Sequence, residues 1–569
     1  MPAKHLHILI LTLFLLLSLF LTLGRVGTAF DSFALLTPDL GVYATFAAAQ
    51  DAPELFLNDP FLSNEKNINS YNMILVPLIK VLNDVFGNYG TACAFLLPFF
   101  LFIHLTGWYL LGVALFKNPW AGLLASLLAS TPVLTYYDYW GLILDALPRF
   151  LYQGAIAFLL ALSIWRGHEL QWWPVILGGV GLLNYVHPLS TPAWTVAVML
   201  ALWVSTPQRG FWQKAQMMGL AVVVLLIVLL PFVLNYVGST IVETGNTVGY
   251  EQTLAILQRR FLTMEGSSPF WALVNFFAGR RSLRFDVIWY AVWLLGLAGL
   301  FFGLLWNRRS EEHAHLRQIA AWMTGILVVG GFLPALEQIV FAYLKRIPPE
   351  FEILKTLRYL VPLILVTAVY ALWILRDQFR RRNIASAKVA SFMFWGAGTF
   401  LLLAWGLSSQ ARYPDFRNAI RQNLSCWRQG NVVCPLPQIS MDFIDVLDVV
   451  RDDTPFGSRV FSEGQEVAVR YYALRPLVFT YKDGAPLAYT DQEQLLVWNE
   501  HSEAMEELTF IRKFPFRHRA FVRGIVELAQ QTGADYLLLQ EPFDAGKEYP
   551  EQLSLVYTNA SYSLYELNP

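Results

Sequence analysis

Near the start of the chain an aspartate opens the apolar stretch PDLGVYATFAAAQDAPELFLNDP, where Asp39, Leu40, Tyr43 and Ala44 share one helical face. Pro38 suits a first helical turn, and a carboxylate is favoured at the positive end of a helix. At a membrane surface under apolar helices, such a carboxylate would act as a general base towards a hydroxyl. It also reads as an N-cap-like or solvated loop acid. A second acid, Asp138, stands among four aromatics in YYDYWGLILDALPRF. It reads either as a second active-site carboxylate able to hold a divalent cation or as part of an interfacial aromatic belt. In the same stretch Asp145 and Arg149 have the spacing of a helical ion pair, and Arg149 is also a cation available to a phosphate. His187, in NYVHPLSTP, reads as a turn residue beside Pro188.

The basic residues make a third signal. Arg259, Arg260, Arg280, Arg281 and Arg284 crowd one connection, and Lys345, Arg346, Lys355 and Arg358 crowd another. Guanidinium forks match phosphate geometry, so a lipid-linked phosphate is one reading and headgroups or acids of the tail are the other. Arg358, in LKTLRYLVPL, begins an apolar run, where an unpaired charge is costly. No P-loop, GxSxG elbow, HExxH or dinucleotide fingerprint is present.

These residues need a scaffold, and composition names its kind. The 569 residues are 56% apolar and 15% charged, against roughly 25% charged in soluble domains. A formal net charge of -1 supplies no field for nucleic acid. A bilayer core needs about 20 apolar residues per helix, and eleven runs approach this. They are His7–Gly24, Tyr89–Phe116, Trp120–Tyr136, Leu151–Trp165, Trp173–Val186, Pro192–Val204, Ala215–Val237, Val287–Trp306, Ile319–Val340, Leu360–Leu375 and Val389–Leu407. Lys and Arg in the short connections place the N-terminus in the cytoplasm and the tail outside. The expected layout is a transmembrane domain over 1–409, with long outer loops 25–88 and 238–286, and an extracytoplasmic α/β domain over 410–569. Interfacial helices are expected at Tyr71–Phe86, Tyr250–Leu262 and Pro269–Phe277. Strands are expected in the tail at Arg459–Phe461, Pro476–Tyr481, Tyr536–Gln540, Leu553–Tyr557 and Tyr562–Glu566. Helices are expected at Met441–Arg451, Asp491–Leu508 and His518–Thr532, the last stopped by Gly533. Cys426 and Cys434, in NLSCWRQGNVVCP, are close enough for a short-loop disulfide, while Cys93 lies within a span.

The layout resembles the GT-C class of integral-membrane glycosyltransferases: a short N-terminal segment, an acid-bearing first outer loop with interfacial helices, about eleven spans and an outer α/β tail. The tail, with VRYYALRPLVFTYKDG, LLVWNE and VYTNASYSLYEL, resembles that of a group of bacterial membrane proteins of GT-C-like build, in which Arg470, Arg475 and Lys482 fall in a shared pattern. The resemblance implies transfer of a sugar from a polyprenyl-phosphate carrier to a hydroxyl acceptor, glycan or lipid, at the outer face of the inner membrane. Asp39 matches the class's first-loop acid and Asp138 its second, while Arg149, Arg259, Arg260 and Arg358 would hold the donor phosphate. The chain lacks a clean DxD or ExD in the first loop and lacks the WWDYG-type tail signature of oligosaccharyltransferases. A lipid-carrier flippase or exporter and a non-catalytic envelope scaffold are the alternatives. Few ionisable groups lie within the spans, His104 and Glu337 being the main exceptions, which argues against a coupled transporter.

Overall fold

The structure is a computed structural model that describes residues 3–26, 36–69, 74–135, 139–206, 209–236, 249–260, 274–277, 287–306, 311–345, 352–382, 386–407, 414–431, 438–464, 466–540, 549 and 551–568. The chain is an α-helical polytopic membrane protein with a small sheet near its C-terminal end. It gathers into two compact units, one of residues 1–22, 97–233 and 258–425, the other of residues 23–96, 234–257 and 426–569.

Among the described residues eight helices are long and apolar enough to cross a membrane: Lys4–Leu23, Tyr89–Phe116, Pro148–Arg166, Pro188–Ser205, Phe211–Asn235, Val287–Leu305, Ile353–Arg381 and Ala387–Leu407. The three other expected runs lie on helices of a different kind. Pro119–Ala129 and Trp173–Leu183 have 11 residues each, about 16 Å at 1.5 Å per residue and so about half a hydrocarbon core. The run Ile319–Val340 falls on Glu311–Leu327 and Leu333–Leu344, joined by a π turn at Val328–Phe332. Close helix contact depends on small residues. A Cβ on Gly325 would lie 2.3 Å from the Cα of Ala197, so the helices of these two residues meet backbone to backbone. Phe211–Tyr236 leaves Leu226, Ile227, Leu230 and Leu234 exposed, a surface that suits lipid better than water.

Where the span Trp120–Tyr136 is expected to pass into an aromatic belt, β1 (Val133–Leu134) and β2 (Tyr139–Trp140) pair antiparallel as the two arms of a small hairpin, with 136–138 outside the described residues. Trp140 is fully buried and donates its indole N–H to the carbonyl of Ala129 at 2.6 Å. A polar handle satisfied inside the protein has no need of the interface.

In the second unit β3 (Val460–Ser462), β4 (Tyr536–Gln540), β5 (Leu553–Thr558) and β6 (Tyr562–Leu567) form a sheet in the order β3-β4-β6-β5. β3 and β4 are parallel, with Phe461 opposite Leu537, and their connection carries the helices Gln492–Arg512 and His518–Gln531. A parallel pair requires such a crossover. β6 runs antiparallel to both its neighbours. Gly533 takes φ +69 just past the second helix, the left-handed stop expected of it. The expected strand Pro476–Tyr481 does not form. Only Leu477 bridges to Val460, and a 3-10 turn follows at Tyr481–Asp483. Val460 bonds to the carbonyl of Pro476 and the amide of Val478. Pairing ends there because Thr480 turns the chain by accepting the amide of Lys482, while Asp59 and Arg470 take the N–H and carbonyl of Leu477 on the side facing away from β3.

Candidate functional site

Asp39 is the second residue of the Pro38–Asp51 helix. Thr37 caps that helix by accepting the amide of Leu40 at 3.4 Å, and Pro38 costs nothing in a first turn. Leu40, Gly41 and the six consecutive residues Ala44–Ala49 are buried, so the helix is enclosed on all sides beyond its first turns. At its far end Asp51 pairs with Lys80 at 3.1 Å and accepts the Tyr89 hydroxyl at 2.8 Å. The interfacial helix expected over Tyr71–Phe86 is found at Leu75–Phe86, with 71–73 outside the described residues. The Asp39 carboxylate forms an ion pair with the ammonium of Lys482, and both side chains are about one-third exposed. A carboxylate has more lone pairs than one ammonium uses, so Asp39 can pair with Lys482 and still receive a hydroxyl.

Lys482 is held there by a charged core. Asp59, 0% exposed, accepts Arg470 through both oxygens at 2.8 and 2.9 Å, and also the amides of Phe61, Leu62 and Leu477. Arg470 donates in addition to Asp483 at 2.7 and 3.1 Å, one residue beyond Lys482. Burial pushes the Asp483 carboxyl up to about 6 although Arg470 opposes the shift. Burial likewise works against the charge on Arg470, but Asp483 and Asp59 hold its pKa above the ordinary arginine value. Arg475 is also buried, donating to the hydroxyl and carbonyl of Thr454 at 3.0 and 2.7 Å. Of the three tail cations quoted for the resemblance, Arg470 and Arg475 are therefore architectural and Lys482 alone reaches Asp39.

The first unit holds a separate polar cluster. Arg358, 1% exposed, ends the 3-10 turn Ile353–Tyr359 that leads into Leu360–Arg381. Its guanidinium donates to the Ser190 hydroxyl at 3.4 Å and lies 5.3 Å from the ring of Tyr359. Tyr359 donates to the same hydroxyl at 2.6 Å, and His187 Nδ1 lies 2.9 Å from it. Ser190 is thus the shared hydrogen-bond partner of Arg358, Tyr359 and His187. His187 precedes the 3-10 turn Pro188–Ser190, the turn position expected of it. Trp140, Tyr152 and Trp194 surround Tyr359 with ring centroids 5.3–6.1 Å away.

Arg149, in the first turn of Pro148–Arg166, stands 5.9 Å from the Tyr139 ring on β2, whose next residue is Trp140. The hairpin thus links Arg149 to the neighbourhood of Arg358. Arg259 and Arg260 end the helix Tyr250–Arg260, Arg259 exposed and Arg260 buried. Asp138 lies outside the described residues, as do Arg280, Arg281, Arg284 and Arg346. Lys355 pairs with Glu352. Cys426 is disulfide-bonded and Cys93 is free and buried; Cys434 lies outside the described residues. Among the described residues no group of three or more His, Cys, Asp or Glu side chains is placed to hold a metal ion. The sequence reading missed Ser190 and Tyr359 in the first unit, and in the second the pairings of Asp39 and Asp59. The signal for Ser190 was local, since His187 and Ser190 are one turn apart in NYVHPLSTP.

No known family and no curated protein matches the chain. Among solved structures it is similar to an oligosaccharyltransferase of Archaeoglobus fulgidus tethered to an acceptor peptide, at 14% identity and a TM-score of 0.46, covering 100% of this chain and 74% of that one. It is also similar to ArnT from Cupriavidus metallidurans in the apo state, at 13% identity and a TM-score of 0.46, covering 97% of each chain.

Proposed function

We propose that the chain is a membrane glycosyltransferase of GT-C type, moving a sugar from a polyprenyl-phosphate carrier to a hydroxyl of a glycan or lipid acceptor. The reaction takes place at the outer face of the cytoplasmic membrane, with the N-terminus inside and the tail outside. The observation that carries this reading is the Asp39 carboxylate. It sits in the first turn of an otherwise largely buried helix, remains part-exposed, and pairs with an ammonium. Exposed pairs of that kind open at little cost. Asp39 takes the proton of the acceptor hydroxyl as its oxygen attacks the sugar's anomeric carbon and the carrier phosphate departs. Arg358, Arg149, Arg259 and Arg260 are the cations for that phosphate, and electrostatic stabilisation of this kind strengthens where water is scarce. Asp138 orients the sugar or a divalent cation.

The test is mass spectrometry of lipid-linked sugars and glycoconjugates in a parent strain, a deletion strain and one carrying Asp39→Asn. Both altered strains are expected to accumulate one lipid-linked sugar and to lose one glycoconjugate. If the deletion changes the pool while Asp39→Asn behaves as the parent, Asp39 is not the base, and carrier export or scaffolding replaces transfer.

A further inference from the structure

The helices Gln492–Arg512 and His518–Gln531 meet at a corner, LTFIRKFPFRHRAFVR, unlike anything else on the tail. From Leu508 to Arg523 it carries five Lys or Arg and no acid, whereas the helix before it carries Glu493, Glu500, Glu503, Glu506 and Glu507. Arg512 pairs with the buried Glu463, and Arg523 pairs with Glu527 at 2.8 Å. Lys513, Arg517 and Arg519 are exposed at the corner. Among them Phe510 and Phe516 are 55% and 80% exposed. The rings of Phe510, Phe514 and Phe516 follow one another at centroid distances of 5.3 and 5.8 Å, and Arg517 lies 5.5 and 5.7 Å from the last two.

Burying Phe516 in the tail's own core was open to this fold, since Phe521, five residues on, does so. An aromatic left in the open among cations is a surface that one kind of partner fits, with apolar depth below a layer of negative charge. We propose that this corner is a membrane-surface anchor for anionic phospholipid. Phe510 and Phe516 enter the interfacial region, and Lys513, Arg517 and Arg519 meet the lipid phosphates. Charge complementarity calls for an anionic partner, and the exposed rings of Phe510 and Phe516 among the cations favour lipid, whose apolar region lies directly beneath its phosphates. So does supply, because the tail follows the span Ala387–Leu407 on one chain and a bilayer is always within its reach.

The experiment uses the full chain in nanodiscs. Phe516→Cys is labelled with a polarity-sensitive dye, and Glu500→Cys on the acidic helix is the reference. Selective labelling is feasible because Cys93 is buried and Cys426 is in a disulfide. In discs rich in phosphatidylglycerol the dye at 516 is expected to shift to the blue and to be quenched by brominated lipid, while the dye at 500 stays in water. Discs of phosphatidylcholine alone, high salt, or Lys513→Glu with Arg517→Glu and Arg519→Glu should each weaken that signal. The triple change should do so by on the order of a hundredfold in lipid occupancy. The salt arm requires no refolding of a variant. A dye at 516 as exposed as the one at 500 in anionic discs overturns the proposal, as does a blue shift indifferent to lipid charge and salt.

Discussion

Two ion pairs in the second unit join the same stretches of chain, 36–69 and 470–483, and they are built in opposite ways. Asp59–Arg470 is bidentate, fully enclosed and supplied with backbone donors. Asp39–Lys482 is a part-exposed pair with a strongly hydrated ammonium, each side chain about one-third open to solvent. Removing one member of an enclosed pair leaves a stranded charge, whereas opening a surface pair returns both charges to water. The first pair therefore belongs to architecture. The second leaves its carboxylate available for chemistry.

That contrast is most open to refutation in Arg470→Ala, which should destabilise the protein by about 3–5 kcal/mol, read as thermal unfolding in detergent. A change no larger than that of a surface pair would erase the distinction. Asp39→Asn should do the reverse, lowering transfer by about a hundredfold or more with unfolding within about 1 kcal/mol of the parent. Asp483 sharpens the buried side through pH. Its folded carboxyl lies at about 6, above its ordinary value of 3.8, so between the two the folded chain binds the proton that the unfolded chain has released. The stability it contributes is fully present below the ordinary value and falls as pH rises through about 6. Asp483→Asn should flatten that segment of the stability–pH curve; an unchanged slope would place the titration elsewhere. Smallest of all, Lys482→Met should alter stability by about 0–1 kcal/mol, read as thermal unfolding in detergent, and a loss as large as that of Arg470→Ala would place this pair with the enclosed one.

Much of this was legible in the residues. β-Rich composition marked Tyr536–Gln540, Leu553–Tyr557 and Tyr562–Glu566, which form strands at Tyr536–Gln540, Leu553–Thr558 and Tyr562–Leu567, and Pro38 with Asp39 marked a helix start. Apolar length alone separated the eight long helices from the tail. What stayed hidden lies where distant partners override local preference. Pro476–Tyr481 has strand-like residues, but the chain turns at Thr480, and distant Asp59, with Arg470, takes the outer edge of Leu477 where a further strand would pair. Asp59 in NDPF looks like an ordinary turn residue because its partner is 411 positions away. Trp140 looked like a belt residue because no periodicity reveals that Ala129 accepts its N–H.

The span of 411 residues between Asp59 and Arg470 also sets a clock. At about 5–20 residues per second of synthesis, roughly 20 to 80 seconds pass between the making of the acid and of its guanidinium. Through that interval most of the apolar helices are being threaded, while the acid waits without the charge that will enclose it. The segment 36–69 can reach its final form only after the tail has been delivered. Completion of the N-terminal part is thus among the last events in the biogenesis of the chain, and a ribosome that stalls before Arg470 leaves a chain with every long apolar helix in place and Asp59 still exposed to capture by quality control.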